Sequence, residues 1–415
     1  MTRRVTLANG LRVLAAASPG ADVFSLALSL EAGSRYDSDE AAGLSSLTAG
    51  LMLEGTEYLT GSELALRADA AGASLDVVAG YETCSVLVTG LVEGMDESLG
   101  IVADLLRAPR LRAEELERAR RKQVAEIAED EDDPFTVARQ EFFDLVYGDH
   151  PRHRPVSGAR DTLAALTLDD VASFRDGFFR PWNAVLAAAG DVEPERFAEA
   201  AERVLGDWTS ERAPAPPFPE RPPAVARRRF TRRDRTQTHV IVGGIGITRD
   251  DPSYHAVSLM DVVLGDSAGF GSRLGRRLRE SEGLAYIIES DTASTAGLDP
   301  GVLWVYTATS PDRAERALAV VEEELERLRS EAPDPGELER AKAYLRGRRL
   351  VEGESSEERA SRLVRCERYR LGPDYEDIYE RTLAAVTRDD VLEAASRLLD
   401  PGRRSTVVVG PTPLN

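Results

Sequence analysis

The chain has 415 residues, a formal charge of −20, 42% hydrophobic residues and only two cysteines. That length exceeds one ordinary hydrophobic core, and the acidic surface disfavours nucleic acid, whose phosphates need a basic partner. Cys84 and Cys366 are too few and too far apart for a disulfide framework or a cysteine metal site.

In chain order, alternating apolar residues predict strands over Phe24–Leu30 and Ser85–Thr89, and helical spacing predicts helices over Met95–Leu106 and Ala113–Glu129. The second half repeats this order, with strands over His239–Ile247 and Val302–Thr307 and helices over Arg313–Arg329 and Pro335–Arg349. The expected fold class is α+β, with two homologous domains, each a largely antiparallel sheet covered by helices on one face. No apolar run approaches the roughly 18 residues of a membrane span, and the start runs into a strand pattern without a signal-peptide core. The expectation is a cytoplasmic protein with no membrane partner.

Proline-rich residues 209–226 read as a stiff linker between domains at 1–208 and 227–415. The two halves align with each other. Glu115-Leu-Glu-Arg-Ala-Arg120 recurs as Glu337-Leu-Glu-Arg-Ala-Lys342, and Thr162-Leu-Ala-Ala-Leu recurs at almost the same offset as Thr382-Leu-Ala-Ala-Val. Two matches in one order at nearly one offset indicate a duplicated domain.

Chemistry-bearing residues are sparse. Gly33-Ser-Arg-Tyr-Asp37 precedes Gly43-Leu-Ser-Ser-Leu-Thr-Ala-Gly-Leu-Met-Leu-Glu-Gly-Thr56, and Val124-Ala-Glu-Ile-Ala-Glu-Asp-Glu-Asp-Asp-Pro134 follows. These segments resemble the pitrilysin/insulinase family of zinc peptidases. In that family an HxxEH helix supplies two His ligands and a catalytic Glu, and a downstream helix supplies a third ligand, Glu. The resemblance maps the HxxEH residues onto Ser46, Ala49 and Gly50, and the downstream third ligand onto Glu126. The supporting acidic position falls on Ala119. Glu126 also reads as a solvated residue of a charged helix. No metal or other cofactor is therefore expected in this chain.

The second half carries Gly271-Ser-Arg-Leu-Gly-Arg-Arg-Leu-Arg-Glu-Ser-Glu-Gly-Leu-Ala-Tyr286. This resembles the family segment whose Arg and Tyr, seven residues apart, reach toward zinc across the chamber. The resemblance maps them to Arg279 and Tyr286, a cation and a phenol suited to a carbonyl gaining negative charge. Spacing alone would equally allow a surface arginine and a half-buried strand tyrosine. The edge strand that binds substrate backbone in active family members maps to residues 72–84, where ordinary sheet pairing is the alternative.

His150 and His153 are separated by Pro151, and Gly269-Phe-Gly-Ser-Arg-Leu-Gly275 lacks dinucleotide-loop spacing, so neither marks a site. Ser45 and Ser46 lack a recognisable base.

The resemblance implies a non-catalytic subunit of a heterodimeric zinc metallopeptidase. Its partners would be a homologous HxxEH subunit carrying the zinc and a peptide substrate, with a homodimer possible for the isolated chain. The alternative is a structural or peptide-binding protein with no proteolytic role. Peptide degradation and leader-peptide removal both fit the resemblance.

Overall fold

The computed structural model describes residues 2–20, 22–210, 218–266, 271–372 and 374–414. Residues 211–217 of the expected linker and 267–270 of the glycine-bearing loop lie outside them.

Strands in the first half are β1 (Thr2–Thr6), β2 (Arg12–Ala17), β3 (Val23–Leu30), β4 (Ala73–Ala79), β5 (Cys84–Leu91) and β6 (Ala184–Gly190). Its helices are α1 (Leu44–Met52), α2 (Gly61–Ala70), α3 (Met95–Arg107), α4 (Ala113–Asp132), α5 (Pro134–Tyr147), α6 (Arg160–Ala165), α7 (Leu168–Phe178) and α8 (Pro194–Leu205). The second half adds strands β7 (Arg228–Arg232), β8 (Thr238–Ile245), β9 (Ile287–Asp291), β10 (Val302–Thr309) and β11 (Ser405–Gly410). Its helices are α9 (Tyr254–Asp261), α10 (Ala314–Ser330), α11 (Pro335–Glu352), α12 (Ser356–Arg368), α13 (Tyr375–Ala385) and α14 (Arg388–Leu398). No helix among the described residues is long and apolar enough to cross a membrane.

The first sheet has the order β1-β2-β6-β3-β5-β4 and the second β7-β11-β8-β10-β9. Removing β1 makes the orders correspond strand for strand. The parallel pairing falls at the same place in each, β2 on β6 and β7 on β11, and the other pairings are antiparallel. The architecture is α+β, built twice.

The compact units do not follow the linear boundaries at 208 and 227. Unit one is Met1–Glu129, Arg154–Phe218 and Val351–Pro373; unit two is Asp130–His153, Pro219–Leu350 and Asp374–Asn415. Helix α5 of the first half therefore belongs to unit two, and α12 of the second half to unit one. These helices start at Pro134 and Ser356, the same offset that separates Glu115 from Glu337 in the repeated Glu-Leu-Glu-Arg-Ala, so the exchange is reciprocal.

The cause is that the central strands are apolar on both faces. Every residue of β6 and β8 is buried. In unit one, Leu186 and Ala188 join the main core while Val185, Ala187 and Ala189 face Ala360 and Val364 of α12. Small side chains on both surfaces let helix and sheet approach closely. In unit two, Ala138, Phe142 and Leu145 of α5 pack with Ile241, Trp304, Val407 and Val409. Covering such a strand stabilises the unit by about 1.5–3 kcal/mol per large side chain. The expected one-face cover is thus corrected to cover on both faces.

One buried ion pair in unit two sets an acid limit. Arg273 Nη2 donates to Glu337 Oε2 at 2.7 Å, Arg273 Nε donates to Oε1 at 3.1 Å, and both side chains are almost fully buried. Glu337 also accepts from the Asp334 N–H at 3.1 Å and donates its own N–H to Asp334, a reciprocal cap at the start of α11. Burial alone would raise this carboxyl, but the bonds from Arg273 and the charges of Arg273 and Arg276 hold it down at about 2, from 4.5. A depressed carboxyl contributes stability that is present above pH 4.5 and lost as pH falls toward 2. Glu337→Gln is expected to lower stability by about 2 kcal/mol at pH 7 and by much less at pH 3. Urea midpoints of both proteins at the two pH values measure this. An equal loss at both would mean that the pair's charge is not what stabilises the unit.

Candidate functional site

The segment ahead of α1 is locked by backbone contacts. Gly33 N–H donates to Glu82 O at 3.1 Å and Arg35 N–H to Tyr81 O at 2.9 Å. A Cβ at Gly33 would sit 2.4 Å from the Glu82 and Tyr81 backbone, so only glycine fits there. Asp37 then receives the start of α1. Its carboxylate accepts from Gly43 N–H, Ser45 N–H and Ser45 Oγ at 3.0–3.1 Å. Burial pushes the Asp37 carboxyl up to about 7, against those hydrogen bonds and the nearby charge of Arg154. A raised carboxyl opposes folding as pH climbs from about 3.8 to about 7.

Ser46 is half-buried and Ala49 is buried on α1. Gly50 borders open space, for a Cβ there would meet nothing within 4 Å. The room for a side chain at position 50 therefore persists although the side chain does not. A hydroxyl, a methyl and a hydrogen offer no imidazole or carboxylate to a zinc ion, so the donor set does not fit that metal.

Glu126 lies on α4 seven residues after Ala119. Ala119 is buried and Glu126 is exposed. Among the described residues no group of three or more His, Cys, Asp or Glu side chains could hold a metal.

Protein groups join α1 and α4 in the absence of zinc ligands. Gln123 Nε2 donates to Gly43 O at 3.2 Å and to Ser157 O at 2.7 Å. Just past α1, buried Glu54 accepts from Arg118 and from Lys122 Nζ, the latter at 2.8 Å. Burial would raise the Glu54 carboxyl, but Lys122 and Arg118 hold it below its usual range. Sequence reasoning passed over Asp37, Glu54 and Gln123. The only signal for the second of these was the i, i+4 spacing of Arg118 and Lys122.

The segment 72–84 forms β4 and the turn into β5, and β4 is an edge of the first sheet. Its register with β5 runs from Ala73–Gly90 to Ala79–Cys84. In the turn, buried Glu82 accepts from Tyr369 Oη at 2.9 Å and from Arg368 Nη2 at 3.0 Å.

In unit two, Arg279 and Tyr286 are brought together. Gly275–Ser281 forms a π-helical segment carrying Arg279. Its Nη2 donates to Tyr286 O at 2.6 Å, and its guanidinium carbon lies 5.2 Å from the Tyr286 ring centroid. Tyr286 is 82% exposed and precedes β9 instead of lying within it. An exposed phenol beside a guanidinium is not a core residue. The neighbouring arginines serve other ends: Arg273 and Arg276 bind Glu337, while Arg277 binds Glu282, Glu323 and Glu324.

Comparison with known families settles the relationship. Residues 12–160 match the profile described as Insulinase (Peptidase family M16), and residues 165–345 match that of the Peptidase M16 inactive domain. A Mycobacterium bovis protein named as an uncharacterized zinc protease is 30% identical over 414 residues, covering 99% of this chain and 93% of that protein. The chain belongs to peptidase family M16.

A relative from Rickettsia felis, also named as an uncharacterized zinc protease, is 27% identical over 98% of this chain and 97% of its own length. The solved peptidase M16 inactive domain from Pseudomonas fluorescens superimposes with a TM-score of 0.91 at 26% identity, over 100% of this chain and 99% of that one. A Helicobacter pylori protease gives 0.93 at 20% identity over 99% of each chain, which speaks to the M16 fold alone.

Proposed function

We propose that this M16 chain is the non-catalytic subunit of a heterodimeric zinc metallopeptidase. It closes the peptide chamber and supplies Arg279 and Tyr286 to the site of a homologous HxxEH-bearing partner, which holds the zinc. The observation that carries this reading is the contrast within one chain. The positions of the two His ligands and the catalytic Glu are Ser46, Gly50 and Ala49, whereas Arg279 is held against an exposed Tyr286. Decay without selection would not preserve a paired cation and phenol while erasing the ligands.

Arg279 and Tyr286 then act on the scissile carbonyl of the bound peptide. A guanidinium and a phenol hydroxyl donate hydrogen bonds to the oxygen as it gains negative charge, and donors fixed in advance need little reorganisation. The substrate backbone lies along the partner's edge strand, and β4 of this chain is the equivalent edge. The zinc-protease names of the relatives from Mycobacterium bovis and Rickettsia felis are consistent with a peptidase assembly.

The purified chain is expected to hold less than about 0.1 zinc per molecule and to cleave no peptide, since three protein ligands are needed for catalytic zinc. Mixed with an HxxEH homologue from the same cell, it is expected to raise that homologue's peptidase rate in a 1:1 complex. Elemental analysis and a fluorogenic-peptide assay across a mixing series measure both. Stoichiometric zinc with activity in the isolated chain overturns the assignment, and assembly without any rate change favours a scaffold.

A further inference from the structure

Unit one contains a cleft of about 430 Å³ that none of the residues discussed above lines. It opens between the end of α3, the end of α7 and the residues that follow α8. Its volume falls in the range of roughly 300–1,000 Å³ usual for small-molecule sites. Three arginines line it, Arg107, Arg175 and Arg180, in a chain whose net charge is −20.

Two of the arginines are already paired. Arg107 binds the Asp207 carboxylate and Val204 O, and Arg175 Nε donates to Asp176 at 2.9 Å. Arg180 differs. Its Nε is buried with no hydrogen-bond partner, and its guanidinium makes no ion pair among the described residues. Ser210 Oγ, on the wall of the same cleft, is likewise buried without a partner. A buried donor without an acceptor is costly, more so when it is charged, and here two such donors line one cavity. Neither finds an acceptor among the described residues.

Charge narrows the ligand. Three arginines against Asp176 and Asp207 leave one positive charge, which a monoanion balances and a phosphate dianion exceeds. The planar guanidinium matches a carboxylate in a two-bond fork, and a hydroxyl can donate to the same group. Trp208 lines the cleft too and gives an apolar portion of the ligand a surface to pack on.

We propose that this cleft binds the carboxylate of a small organic monoacid, with Arg180 and Ser210 as the carboxylate donors. The site is separate from Arg279 and Tyr286 and does not depend on the role assigned to them.

Calorimetric titration of the full chain at pH 7 with N-acetyl-alanyl-alanine tests this, beside its C-terminal amide and sodium phosphate. The acid is expected to bind saturably at one per chain, with the amide at least tenfold weaker. Arg180→Gln is expected to weaken the acid at least tenfold, and Ser210→Ala about three- to tenfold. Circular dichroism checks that Arg180→Gln folds, and if it does not, Ser210→Ala decides. Absence of saturable binding, equal binding of acid and amide, or unchanged affinity in the folded variants overturns the proposal. Phosphate binding as tightly as the acid overturns its monocarboxylate assignment.

Discussion

Arg279→Ala in this chain is expected to lower turnover of the assembled peptidase by roughly 10- to 1,000-fold while changing substrate affinity much less. The size follows from what a preorganised donor contributes when charge appears on a carbonyl oxygen in a site that excludes water. The split between turnover and affinity follows from timing. Interactions that strengthen only in the transition state appear in kcat, and those made equally in the ground state appear in KM. Tyr286→Phe keeps the ring beside Arg279 and removes only the hydroxyl, so it isolates hydrogen bonding from packing. Arg279→Lys keeps the charge and loses the fork, so an intermediate loss would show that geometry matters as well as charge. Tyr286 is 82% exposed and Arg279 is only partly buried, so folding is expected to survive each change. Steady-state kinetics of each variant with active partner, after sizing confirms assembly, gives the measurement. Unchanged turnover in both the Ala and the Phe variants would return the pair to a structural role.

Much of the fold was legible because it is local. The period of apolar residues located the long helices and central strands to within a few residues, and the repeated Glu-Leu-Glu-Arg-Ala marked a duplication that the corresponding strand orders bear out. The first Glu of each copy even has the same fate. Glu115 is buried against Arg110 at 3.0 Å, as Glu337 is against Arg273. The helix exchange was not legible. The apolar stripe of α5 states that Phe142 must be buried, but nothing in its spacing states against which sheet. Only the complete burial of β6 and β8 on both faces creates the demand that an exchanged helix meets.

The candidate site divides the same way. That Ser46, Ala49 and Gly50 offer no zinc ligands is a matter of residue identity, readable at once. The burial of Asp37, Glu54 and Glu82 is not, because carboxylates ordinarily lie on the surface and their partners are distant in sequence. Tyr286 errs the other way, for aromatic residues beside a strand usually face a core.

The exchanged helix provides the largest expected effect on stability. Arg368 ends α12, and its side chain is only 6% exposed. Its Nε donates to Glu31 Oε1 at 2.7 Å, and its Nη2 to Glu31 Oε2 at 3.1 Å and Glu82 Oε2 at 3.0 Å. One guanidinium thus satisfies two carboxylates far away in sequence, one from the end of β3 and one from the β4–β5 turn. Arg368→Ala removes the cation and leaves Glu31 and Glu82 facing each other with little water to replace it. Breaking a buried pair from one side costs about 3–5 kcal/mol, because the abandoned charge keeps its desolvation penalty. Replacing the whole group costs less, so Arg368→Met with Glu31→Gln and Glu82→Gln is expected to recover more than half of the loss. Urea unfolding followed in unit one gives both numbers. A loss below about 1 kcal/mol in Arg368→Ala would mean that solvent reaches the carboxylates, since that is the scale of exposed pairs. The fixing of α12 to unit one would then rest on Ala360 and Val364 against the sheet alone.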